Sequence, residues 1–198
     1  MWYALFPIYD DSSIYMDKSL YPKYYCQNKK CQRMLRDFGG EWQGYPVLKH
    51  GCIVLSSMNM YLATDSFVAL LHKNGCNDFQ VRKVKEDMNI LDITATCELR
   101  EESIDDFKRC PQCGTPLSIT FSRGFDWKRR ELRILKSVDD GAALLCRSRY
   151  PCSDSGRAMY LLFARDDLAK VLRKTKCFDM LECVDVEGNS SETVLHKI

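Results

Sequence analysis

No apolar run in this chain approaches the roughly 18 residues needed to cross a bilayer. The opening stretch "MWYALFPIYDDSS" has no basic leader and no apolar segment ending in small residues, so a secretory signal is not expected. Histidine is scarce: His50, His72 and His196 are the three in 198 residues, and none has zinc-protease spacing. A glycine-rich phosphate loop is missing too, because "FGGEWQG" has neither the spacing nor a following helix. Ser155 lies in "SDSG", a turn-like stretch that offers no base. A net charge of +2 selects no partner. With no catalytic constellation left, a non-enzyme is expected.

What is present is a large store of core-forming residues and thiols. Hydrophobic residues make up 45% of the chain and aromatics 11%, enough for a real core in one compact domain spanning 1–198. Eleven cysteines, odd in number and scattered, argue against a fully paired disulfide framework, and a reduced cytoplasmic protein is expected. Cys52, Cys76, Cys97, Cys146, Cys177 and Cys183 read as small buried hydrophobes. Cys152, after Pro151, reads as a loop thiol.

"WYALFPI" reads as an opening strand. Strands are also expected near 52–56 and 79–84, the latter with Phe79, Val81 and Val84 on its apolar face. Between them a helix is expected near 65–73. Thr64 and Asp65 offer cap oxygens, Phe67, Leu70 and Leu71 form an apolar face, and Gly75 marks the stop. "PLSITFS", "RELRILKSV" and "AALLCR" read as further strands, and Asp139-Asp140-Gly141 predicts a hairpin over 131–147.

The strand–helix–strand grammar recurs. Set 101 residues apart without a gap, Met58 meets Met159, Ala63 meets Ala164, Asp65 meets Asp166 and Leu71 meets Leu172. Lys73 then meets Lys174, Cys76 meets Cys177 and Asp78 meets Asp179, making seven identities in 21 positions. Leu168, Val171 and Leu172 should face the core as Phe67, Leu70 and Leu71 do. The expected fold is α+β and β-rich, with two related strand–helix–strand halves around a shared core and a zinc knuckle. The units span approximately 52–85 and 153–186.

The knuckle is "CPQCG" at 110–114. Two thiolates two residues apart, stiffened by Pro111 and followed by Gly114, suit a structural zinc site. The pair in "CQNKKC", Cys26 and Cys31, has a spacing compatible with the other half. One Zn2+ held by Cys26, Cys31, Cys110 and Cys113 would be closed to substrate and therefore structural. A redox pair would need a following helix, which Pro116 opposes. Buried thiols without metal are the remaining reading.

Charge is arranged in opposed runs: Glu98, Glu101, Glu102, Asp105 and Asp106 precede the knuckle, and Arg123, Lys128, Arg129, Arg130 and Arg133 follow it. Such runs are commonly solvated faces. The aromatic N-terminal strand, the two cysteine pairs and "FVALLHKNGCNDFQVRKV" together resemble the double-CxxCG type of bacterial immunity proteins encoded beside polymorphic toxins. The first pair departs from that pattern in its four-residue spacing and missing glycine. The resemblance implies a bacterial cytoplasmic protein that binds and neutralises a cognate toxin by stoichiometric occlusion, with no membrane. Glu98, Glu101, Glu102, Asp105 and Asp106 would then meet a basic toxin surface. The alternative is a zinc-knuckle nucleic-acid-binding protein, in which Phe121, Phe125 and Trp127 stack on bases beside the basic run.

Overall fold

A computed structural model describes residues 1–7, 26–28, 53–55, 61–100, 106–113, 116–120, 125–126, 131–132, 135–150 and 160–183. Along these residues the chain forms β1 (Trp2–Pro7), β2 (Ile53–Leu55), β3 (Tyr61–Ala63), α1 (Asp65–Lys73), β4 (Phe79–Lys85) and β5 (Met88–Ile93). It continues through β6 (Thr96–Leu99), β7 (Asp106–Arg109), β8 (Pro116–Thr120), β9 (Phe125–Asp126) and β10 (Glu131–Leu132). The last elements are β11 (Leu135–Val138), β12 (Leu145–Ser148), β13 (Leu162–Arg165), α2 (Asp166–Arg173) and β14 (Phe178–Cys183). This is a β-rich α+β protein. Among the described residues no helix is long and apolar enough to span a membrane.

Both helices are short, so their stability comes from caps and packing more than from propagation. At α1 the Thr64 hydroxyl accepts the Phe67 N–H at 3.2 Å, and Asp87 Oδ1 accepts the Asp65 N–H at 2.9 Å. Two of the four unpaired donors of the first turn are thereby satisfied. Its end is a Schellman closure: the Cys76 N–H bonds Leu71 O and the Gly75 N–H bonds His72 O, each at 3.0 Å, with Gly75 at φ +76°. The start of α2 lacks a side-chain cap. Instead Asp166 N–H donates to Met1 O at 3.0 Å, and Asp166 and Asp167 face the positive end of the helix dipole.

The large sheet runs β11-β6-β12-β13-β1-β14-β10-β9, the second β2-β3-β5-β4, and among the described residues β7 pairs with β8 alone. Around each helix the connectivity is alike. β3 and β4 are both antiparallel to β5, which lies between them, and β13 and β14 are both antiparallel to β1, which lies between them. A strand made elsewhere in the chain thus splits each strand–helix–strand unit.

The main core joins both sheets and both helices. Leu5, Leu162, Phe178 and Met180 come from the large sheet, Tyr61, Phe79, Leu91 and Ile93 from the second, and Phe67, Leu71, Leu168 and Leu172 from the helices. Each fully buried leucine among them contributes roughly 2 kcal/mol. A smaller cluster with Cys97, Cys146, Phe163, Leu181 and Cys183 covers the opposite face of the large sheet. β1 feeds both clusters, Leu5 one way and Ala4 the other, as a central strand should. Polar clasps join the sheets. Asp78 Oδ2 accepts the Leu144 and Leu145 N–H groups at 2.7 and 2.9 Å, and Arg147 Nε donates to Ile93 O at 3.0 Å.

Three expectations are corrected. The hairpin over 131–147 does not form, because β6 inserts between β11 and β12, antiparallel to one and parallel to the other. Val81 stands on the row of Phe79 but is 43% exposed, since the core ends before it. Cys177 is buried but disulfide-bonded, against the expectation of a fully reduced chain, whereas Cys76, Cys97, Cys146 and Cys183 are buried and outside any disulfide. Burial pushes the Cys76 thiol up to about 12 and raises that of Cys183 further, as expected of inert core thiols. Cys52 and Cys152 lie outside the described residues.

Candidate metal centre

β7 and β8 form an antiparallel ladder from Asp106↔Thr120 to Arg109↔Pro116, with a register shift after Lys108. The connection between them carries Cys110, Pro111, Gln112 and Cys113, and residues 111–113 are a turn. Pro111 fixes its own φ and cannot donate a ladder hydrogen bond, which suits the first position of such a turn. Cys110 is 1% exposed, Cys113 is half-buried, and Cys26 arrives from 84 residues away in sequence at 3% exposure.

The three sulfurs all lie within 4.8 Å of one another, and Cys26 and Cys110 are 3.7 Å apart. None of the three is in a disulfide, whose S–S length would be about 2.05 Å. A tetrahedral ion with Zn–S bonds near 2.3 Å requires sulfurs about 3.8 Å apart. The Cys26–Cys110 separation meets that requirement without backbone movement, so the donor set fits a thiophilic ion. Gln112 Oε1 lies 3.7 Å from Cys26 Sγ. Turned over, the same carboxamide would offer an N–H to a metal-bound thiolate, a partner that sequence spacing alone gives no sign of.

Among the described residues this is the one group of three or more potential ligands gathered closely enough to hold a metal ion. Cys31 lies outside the described residues. No protein-family model, curated protein or solved structure matches the chain. Chemistry and geometry therefore carry the reading.

The other sequence candidates are placed as follows. Glu98 sits on β6 and is already engaged, with Arg149 Nη1 at 2.8 Å and Lys136 Nζ at 3.7 Å. Asp106 opens β7, and Glu101, Glu102 and Asp105 lie outside the described residues. So do Arg123, Lys128, Arg129, Arg130 and Arg133. His72 is an exposed residue of the last turn of α1, bonded to Asn77 at 2.8 Å and resting against Phe79.

Proposed function

We propose that Cys26, Cys31, Cys110 and Cys113 hold one structural Zn2+, and that the chain is an immunity protein that binds and neutralises a cognate bacterial toxin in the cytoplasm. The supporting observation is the meeting of three cysteine sulfurs from the two pairs within 4.8 Å of one another, with Cys26 and Cys110 at the 3.7 Å that a zinc ion would set. Four thiolates leave the ion no open position, so its work is to fasten the segment around Cys26 to the β7–β8 turn. Neutralisation needs no turnover: a folded surface occludes the toxin through a few buried anchors and complementary charge. Glu98, Glu101, Glu102, Asp105 and Asp106 are the acidic candidates for that surface.

The two strand–helix–strand units are read as related halves. In their favour, Ala63 and Ala164, Leu71 and Leu172, and Cys76 and Cys177 are buried pairs 101 residues apart. Gly75 and Lys176, the same distance apart, both have positive φ. Sheet register follows a slightly different offset: Phe79 faces Ile93 where Phe178 faces Pro7, so the second unit is two residues shorter after the helix.

The test is to co-express the chain with the toxin domain encoded in the adjacent reading frame. A one-to-one complex that restores cell growth is expected, and undiminished killing would sink the reading. Metal analysis of the natively purified chain should give about one zinc per molecule.

A further inference from the structure

Among the described residues β4 ends the second sheet and pairs with β5 alone. The Asp78 carbonyl accepts the Thr94 N–H at 2.9 Å, which fixes the phase of the ladder. By alternation, the pairs Gln80↔Asp92 and Arg82↔Ile90 exchange hydrogen bonds with β5, while Phe79, Val81 and Lys83 turn their N–H and C=O groups outward. Among the described residues nothing takes up those groups. Val81, at the middle of this edge, is 43% exposed; among the described residues Met1 is the other exposed large hydrophobic side chain. An edge of this kind is a template for one more strand.

The composition of β4 says which strand. "FQVRKVK" carries Arg82, Lys83 and Lys85 and no acid. A second copy paired antiparallel about Val81 would bring two Arg82 side chains to diagonal positions on one face, where like charges oppose pairing. An acidic strand has no such conflict. Opposite Val81 an apolar residue would complete the contact, and opposite Arg82, on the other face, a carboxylate would.

We infer that β4 docks an extended, alternating apolar–acidic segment of a partner protein, which joins the second sheet as a fifth strand. Main-chain bonds to Phe79, Val81 and Lys83 hold it, and Val81 and Arg82 select it. Lys83 already meets Asp65 at 2.5 Å, so selection by charge rests chiefly on Arg82. The inference does not depend on the partner being a toxin.

The probe is a synthetic peptide of alternating valine and glutamate, titrated into the full chain and followed by amide NMR and hydrogen exchange. The Phe79, Val81 and Lys83 amides should shift and exchange more slowly, while those of Gln80 and Arg82, already bonded to β5, change less. The same peptide with lysine for glutamate should bind at least about tenfold more weakly. Val81→Pro removes one outward donor and no ladder bond, so the fold should persist and binding fall by a similar factor. Val81→Glu, an exposed substitution, should repel the peptide equally and serves if the proline variant does not fold. Shifts mapping elsewhere, equal binding by either folded variant, no binding at millimolar peptide, or self-association of the chain through β4 would each overturn the inference.

Discussion

Gly75 and Lys176 adopt the same left-handed backbone state after the two helices, at φ +76° and +58°, but at different cost. Glycine is at ease there, whereas a side chain meets its own carbonyl and loses about 1 kcal/mol. Nothing lies within 4 Å of a Cβ built on Gly75, so Gly75→Ala should cost about 1 kcal/mol from backbone strain alone. Lys176→Gly should add up to about 1 kcal/mol, and denaturant midpoints at constant m-value would check both. A second residue-level test concerns Asp167, whose carboxyl is held down at about 2, first by its hydrogen bonds to the Arg165 guanidinium. A carboxyl depressed on folding stabilises fully above its ordinary value of 3.8, and that contribution is lost as pH falls through about 2. The pair is exposed, so its effect on stability is small. Its signature is spectroscopic: Arg165→Ala should move the Asp167 NMR midpoint from about 2 toward 3.8.

Between elements, Asp78 is the clasp most exposed to a simple test. Its Oδ2 takes two main-chain N–H groups at the entry to β12, one of them on Leu145, which is 1% exposed. Asp78→Ala would leave both donors without that acceptor and should cost about 2–3 kcal/mol in chemical denaturation, with Asp78→Asn costing less. Both helices and several strands, β1, β2, β4, β8 and β12 among them, were legible in the sequence because their signals are local. Thr64, Asp65 and Gly75 bracket α1 at the expected residues, and Phe67 and Leu71 face inward. Strand partners were not legible. The Asp139-Asp140-Gly141 turn signal is real, yet it spans a gap that β6 fills, and no local pattern announces an inserted strand. β5 gave no alternation to read, because Met88 through Leu91 are all buried and its polar residues, Asn89 and Asp92, fall on opposite faces.

At the scale of the molecule, the candidate metal centre was legible as two cysteine pairs that one ion could join. The fold brings Cys26 of the first pair to Cys110 and Cys113 of the second; what no sequence window shows is the separation of their sulfurs. If zinc is the clamp, its binding energy is folding energy. Cys110→Ser should then abolish stoichiometric zinc and lower the melting temperature by about 10 °C, and a strong chelator should do the same to the wild type. Metal analysis beside a thermal scan decides it; unchanged melting after complete chelation would refute a structural role. The placement of β1 carries a different consequence. Trp2–Pro7 leaves the ribosome before either of its sheet neighbours, and β13, the nearer of the two in sequence, starts 155 positions after its end. At roughly 5–20 residues per second, translation keeps this strand waiting for roughly 10–30 s without either of the strands it pairs with. During that interval the nascent chain carries an apolar ribbon whose edges are unpaired, so the large sheet cannot close around β1 until β13 and β14 have been made.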